Sequence, residues 1–234
     1  MTELVFRDDA YARECAALVT AVDGRGITLD RTVFYARGGG QPGDSGVLTF
    51  GDGAVDIVDA IKGDGDTVIH VPAEGAAIPP VGTEVTAEID WERRHKMMRM
   101  HSCLHLLSAV VDGAVTGGQV GPDKSRLDFD IPEGGLDKVA IGEAINALIE
   151  ADHPVASRWV TDDELAANPD LVKTMSVAPP QGTGRVRLIE IPGVDLQACG
   201  GTHVARTGEI GRVIVRKIEN KGRHNRRVSI AFAD

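Results

Sequence analysis

Two short pairs of residues carry the chemistry most legible in this chain: His101 and His105 in HSCLH, and Cys199 and His203 in CGGTH. Imidazole nitrogen and thiolate sulfur are the preferred donors of a borderline metal, and three nitrogens with one sulfur match the tetrahedral taste of Zn²⁺. Positions 101 and 105 are one helical turn apart, so on a helix both rings project from one face. Cys199 and His203 flank two glycines, which let the backbone fold tightly enough for both side chains to reach one ion. The pairs lie too far apart to close a small zinc loop, so a folded domain must bring them together. Four protein ligands usually close a structural site, whereas a catalytic ion keeps a position open. The tension resolves if one ligand, His203, is exchangeable. A zinc-protease reading fails because that motif needs a Glu after the first His, and here Ser102 stands there.

The elements that must position these pairs are a helix and a turn in a mixed α/β segment. From Trp91 to about Val115, Met97, Met100, Leu104, Leu107, Val111 and Val115 recur at three- and four-residue steps, which predicts one long helix. Further on, Ser125–Ile131, Arg187–Ile191, Arg212–Glu219 and Arg227–Phe232 read as strands. Asp137 reads as the cap of a helix carrying Ile141, Ile145, Leu148 and Ile149, and Thr161 with Glu164 as a capping box. Residues 1–90 are different. Val47–Phe50, Ala54–Ala60, Thr67–Val71 and Thr83–Asp90 are short strand patterns between Gly-Asp and Pro-Pro turns, which predicts a small barrel or sandwich. The expected fold is α+β: a small N-terminal β-barrel domain (1–90), then a mixed α+β zinc-containing domain (91–234).

The length of 234 residues allows one large or two small domains, and 42% hydrophobic with 26% charged residues is an ordinary globular balance. No apolar run approaches the ~20 residues that span a bilayer, and the acidic N-terminus is unlike a signal peptide. A cytoplasmic location is expected, with three unpaired cysteines, Cys15, Cys103 and Cys199. The net charge of −10 argues against nucleic acid, yet its distribution does not. Arg206, Arg212, Arg216, Lys217, Lys221, Arg223, Arg226 and Arg227 face only Glu209 and Glu219 in that stretch, and Arg93, Arg94, Lys96 and Arg99 precede His101. Either cluster alone would be a solvated face. Flanking the metal pairs, they favour an anionic substrate.

RTVFYARGGGQPGDSG (31–46), HSCLHLL (101–107), GGQVGPDKSRLDFDI (117–131), DLQACGGTHVARTGEIG (195–211) and the basic tail KGRHNRRVSIAF (221–232) resemble, in order and spacing, the editing region of alanyl-tRNA synthetase. With no room for an aminoacylation domain, the match is to the free-standing editing proteins called AlaX, of the type that keeps the glycine-rich N-terminal domain. The editing domain of threonyl-tRNA synthetase has a similar His/Cys/His core but lacks the GGGQPGD segment.

The resemblance implies a zinc-dependent aminoacyl-tRNA deacylase, a carboxylic ester hydrolase acting on mischarged tRNA(Ala), with serine the usual wrong amino acid and glycine the second. His101, His105, Cys199 and His203 stand where the family keeps its zinc ligands. Thr32 matches a threonine placed against the seryl hydroxyl, and Gln119 a glutamine lining the editing pocket. Gly38, Gly39, Gly40, Gln41 and Asp44 match the glycine-rich motif. Cys103 stands where relatives often carry Thr or Ala, an added oxidation liability. The acceptor end of the tRNA would meet Arg93, Arg94, Arg216, Lys217, Lys221, Arg223, Arg226 and Arg227. No membrane and no nucleoside triphosphate is expected as a partner. A metal could polarise the ester, activate water or orient the substrate, and the residues alone leave these open. A zinc-stabilised RNA-binding module without catalysis is the alternative.

Overall fold

The computed structural model describes residues 2–131, 135–168 and 184–233. The chain forms two compact units, Met1–His95 and Lys96–Asp234.

In the first unit β1 (Glu3–Leu4) pairs in parallel with β4 (Arg31–Thr32), and α1 (Val5–Asp8) is a single turn. The remaining strands are β2 (Glu14–Asp23), β3 (Gly26–Leu29), β5 (Gly46–Phe50), β6 (Gly53–Lys62), β7 (Val68–Pro72) and β8 (Glu84–Ile89). They close into a barrel in the order β2-β3-β7-β6-β5-β8. Alternation puts Val55 and Ile57 inside while Asp56 and Val58 face out. The interior is filled by Val19, Ile27, Leu29, Phe34, Leu48 and Ala87 among others. The expected barrel is therefore present. Its β2 and the four-residue β3 lie outside the four strand patterns read from sequence; in β2 the alanines of ECAALVTAVD dilute the β-branched signal.

The glycine-rich segment folds on itself. Gly38 and Gln41 exchange both backbone bonds, at 3.1 and 2.9 Å. Gly39 and Gly40 sit at φ 56° and 81°, the left-handed region that glycine enters without strain. At Gly43 a Cβ would lie 2.1 Å from the Ala60 carbonyl oxygen, so no other residue fits. The buried Asp44 carboxylate anchors the segment by accepting the Tyr35 N–H at 2.7 Å and the guanidinium of Arg94. Arg94 is completely buried and also donates to the carbonyls of Ala10 (3.1 Å) and Val33 (2.7 Å). The expectation that Arg94 meets tRNA is thereby corrected, since the interior of the barrel unit has taken all its charge. Arg93 donates to the Gly43 carbonyl at 2.8 Å.

These contacts explain where the units divide. The composition shift is at Asp90–Trp91, where α2 (Trp91–Val110) begins. Its first turn belongs with the barrel unit through Trp91, Arg93 and Arg94, so the division falls later, between His95 and Lys96. The helix also ends sooner than its periodicity predicts. The Asp112–Gly113 step stops it, and Val115 lies in a strand, β9 (Ala114–Gln119).

In the second unit β9, β10 (Lys124–Asp130), β15 (Asn225–Phe232) and β14 (Val213–Asn220) form one antiparallel sheet in the order β14-β15-β10-β9. β11 (Ala156–Thr161), β12 (Arg185–Ile191) and β13 (Asp195–Ala198) form another. Asp137 caps α3 (Lys138–Glu150) through the N–H groups of Val139 and Ala140, and Ile141, Ile145 and Ile149 are its buried face. Asn146 fastens α3 to β14 by bonding both the carbonyl (2.8 Å) and the N–H (3.0 Å) of Val213. Thr161 and Glu164 make the expected capping box on α4 (Asp162–Ala167). Among the described residues no helix is long and apolar enough to cross a membrane.

Two predictions follow from the barrel's buried polar groups. Breaking a buried ion pair on one side strands the other charge, so Asp44→Ala should destabilise the protein by about 3–5 kcal/mol in urea unfolding, while Asp44→Leu with Arg94→Met recovers part of that. His70 is fully buried and donates its Nδ1–H to the Ile27 carbonyl at 3.0 Å, which leaves Nε2 to accept the Thr32 hydroxyl at 2.7 Å. Burial pushes its pKa from 6.5 down to about 4. The stability this neutral ring contributes is complete above pH 6.5 and lost as pH falls towards 4, roughly 3 kcal/mol across that window. His70→Gln should flatten the dependence there, so the gap in stability between wild type and variant narrows as the solution is acidified.

Candidate metal centre

The centre is built by α2 and by the turn after β13. His101 and His105 leave one face of α2, their ring centroids 5.6 Å apart. β13 aims the other side. Asp195, Gln197 and Cys199 have the same parity, and Cys199 prolongs the pairing by donating its N–H to the Arg187 carbonyl at 3.1 Å. One strand face thus carries a carboxylate, an amide and a thiol in succession. Gly200 and Gly201 then return the chain so that the His203 ring lies 4.4 Å from that of His101 and 4.7 Å from that of His105. Cys199 Sγ is 3.5 Å from His101 Nε2 and 3.4 Å from His203 Nε2. One donor atom from each of the four residues falls within 4.8 Å of all the others, a group able to hold a metal ion.

The supporting contacts fix which atoms face inward. His105 Nδ1 is 2.8 Å from Asp195 Oδ2, and a carboxylate can only accept, so Nδ1 carries a proton and Nε2 is the nitrogen left to face an ion. Gln197 Nε2 donates to the same Oδ2 at 2.7 Å. Ser102 Oγ accepts the Val204 N–H and lies 3.2 Å from His203 Nδ1. Arg187 donates to the carbonyls of Gly201 (2.9 Å) and Cys199 (3.3 Å), and the Gly201 N–H points to the Cys199 sulfur at 3.4 Å.

The electrostatics suit a ligand set. Burial opposes a thiolate at Cys199, but His101 and His203 beside it carry its pKa well below the usual thiol value. Burial, then His101, holds His203 down to about 3. At His105 burial also lowers the pKa, but the bonds to Asp195 and Cys199 outweigh it and raise the value to about 9. Cys103, completely buried and pushed up to about 12, remains a neutral core thiol, so the expected oxidation liability is removed by enclosure. His203 is as enclosed as the helical pair, and Cys199 is the most accessible of the four.

The other residues singled out in the sequence are scattered. Thr32 is fully buried; besides donating to His70 it accepts the Phe34 N–H at 3.0 Å. Gln119 is exposed at the end of β9, opposite Arg126. Gln41 and Asp44 are buried with the glycine turn. On the β14–β15 hairpin, Arg216 and Arg223 are exposed, Arg216 at a bulge. Lys217 and Lys221 share Glu219, at 3.0 and 3.3 Å. Arg227 grips Asp128 in a two-bonded fork at 2.8 Å, and Arg226 donates to the carbonyls of Gly222, Arg223 and Asn225. Asp195, Gln197, Ser102 and Arg187 were not singled out. The alternation of polar residues leading into Cys199 was the available signal for the first two.

Comparison with known proteins accounts for both units. Residues 186–229 match the family model described as the threonyl and alanyl tRNA synthetase second additional domain, and residues 6–93 match class II (A) tRNA synthetases. An alanyl-tRNA editing protein AlaX-M of Methanosarcina acetivorans is 39% identical over 100% of both chains. The AlaX-M of Saccharolobus solfataricus is 33% identical over 97% of this chain and 98% of its own. An alanine–tRNA ligase of Pyrobaculum aerophilum is 38% identical over 93% of this chain but only 25% of its own length. With full-length similarity of that order, the chain belongs to the alanyl-tRNA editing protein family.

Proposed function

We propose that the chain is a trans-editing hydrolase that cleaves the ester of mischarged tRNA(Ala), Ser-tRNA(Ala) above all and Gly-tRNA(Ala) second. The observation that carries this reading is the convergence of His101, His105, Cys199 and His203 in a chain whose relatives, end to end, are named alanyl-tRNA editing proteins.

Zinc is the ion we assign to the cluster. Bond lengths of about 2.05 Å to nitrogen and 2.3 Å to sulfur in a tetrahedron place N and S about 3.6 Å apart. The Cys199 sulfur stands 3.5 and 3.4 Å from two ring nitrogens, a separation that supports such a shell. Bound there, zinc supplies a Lewis acid for an activated amino-acid ester. The chain's own residues do the rest. Asp195 and Ser102 orient ligand rings, those of His105 and His203. Thr32, assigned to the seryl hydroxyl by the resemblance, has its proton on His70 and one lone pair on Phe34 N–H, so it retains one lone pair for a donor such as a serine hydroxyl. Gln119 is proposed as a pocket residue, and Gly38, Gly39, Gly40, Gln41 and Asp44 as the glycine-rich motif of the family. The acceptor end of the tRNA would meet Arg216, Arg223, Lys217 and Lys221, the two lysines sharing the single carboxylate of Glu219. Arg226 and Arg227, held by carbonyls and by Asp128, shape that surface more than they contact phosphate. The work is done where tRNA is charged, in the cytoplasm.

Ser-tRNA(Ala) supplied to the purified protein should be deacylated, with the rate abolished by a strong chelator and restored by zinc. Cys199→Ala and His101→Ala should each lower it by at least about a hundredfold, the scale of losing a metal-centred step. Bound zinc and bound tRNA without deacylation would instead support an RNA-binding module. Thr32→Val should slow release of serine at least about tenfold more than release of glycine, since only serine has a hydroxyl to place. Equal losses for both amino acids would assign Thr32 to the packing of the barrel alone.

A further inference from the structure

We infer that Asp195 is a positioning residue for the metal centre, acting through His105, with Gln197 holding the carboxylate in place; this rests on the reading of the four-residue cluster as a zinc site. A ligating imidazole must keep its proton on the nitrogen away from the ion and its ring in one plane, and a charged acceptor behind it does both. Asp195 is that acceptor. Its carboxylate has no solvent exposure, and a single oxygen, Oδ2, takes both the His105 Nδ1–H at 2.8 Å and a Gln197 N–H at 2.7 Å. An ionised carboxylate enclosed to that degree is held by strong donors or not at all. Gln197 Nε2 also lies 3.0 Å from His105 Nδ1, but two donors cannot bond each other, so both bonds run to the carboxylate.

Two other supporting contacts act differently. His203 rests on a neutral hydroxyl, Ser102 Oγ, at 3.2 Å. The backbone of the Cys199 turn rests on Arg187. The ligands are therefore unequal. His105 is the anchor, fixed by a charge-assisted bond, and His203 is the arm with the softer support.

The test reads zinc affinity of the full chain by competition with a chromophoric chelator, without tRNA. Asp195→Ala should weaken binding about tenfold to a hundredfold, Asp195→Asn, which keeps an acceptor oxygen without the charge, by less, and Ser102→Ala least. In a His105→Ala background, Asp195→Ala should cost nothing further. A structural role alone would persist there, so the double variant separates the two. The inference is overturned if folded Asp195→Ala binds zinc within about threefold of wild type, or if its full loss survives in the His105→Ala background. If Asp195→Ala does not fold, Asp195→Asn carries the comparison, and failure of both to fold without zinc would assign the residue to the fold and overturn the inference. Because no ester is hydrolysed in this experiment, a protein that passes it and fails to deacylate tRNA refutes the proposed function and leaves the role of Asp195 standing.

Discussion

A thiol buried among apolar side chains stays protonated, and only close positive charge or a metal reverses that. Cys103 and Cys199 show both sides of the rule. The first is sealed in α2 and remains a thiol; the second is surrounded by three imidazoles and favours the thiolate. Everything needed to bring Cys199 to those imidazoles follows from this requirement: a helix that sets two histidines on one face, a strand that ends one residue before the cysteine, and a glycine turn that returns His203. The second unit is, in effect, the scaffold by which two distant segments satisfy one buried sulfur.

The barrel unit answers a different constraint. Its glycine-rich segment is closed on itself: its backbone groups bond one another and its carboxylate is bound to Arg94. A charge pair of this kind adds little net stability but strongly penalises any arrangement that separates the partners. Its value is conformational: Tyr35, Gly43 and the first turn of α2 share one set of bonds, so the turn cannot relax without exposing an orphaned ion.

Much of this was legible in the sequence, for reasons specific to each element. The histidine pair could be read because helical spacing is a strong periodic signal, and the caps at Asp137 and Thr161 because capping is local chemistry. The end of α2 was misread because Val111 and Val115 continue the apolar rhythm past a Gly that breaks it. β2 was missed because alanine is a poor strand marker, although closure of the barrel recruits it. Arg94 could not be told from Arg93 by any local feature; the interior took one and the surface kept the other, a decision made by Asp44, fifty residues earlier. Asp195 and Gln197 lie in the same motif as Cys199, but a residue that steadies a ligand carries no signature until the strand's parity is known.

That parity has a consequence for how such a site can change. Asp195, Gln197 and Cys199 point one way because they are two residues apart along β13 and the residue that prolongs it, while Leu196 and Ala198 point the other. A substitution at any one of them alters one contact. Removing or adding a single residue between them reverses every side chain downstream, turning leucine and alanine towards the ion and the thiol away from it. In this strand, length is a stricter inheritance than identity, and divergence among such proteins is free to rewrite the letters here far sooner than their number.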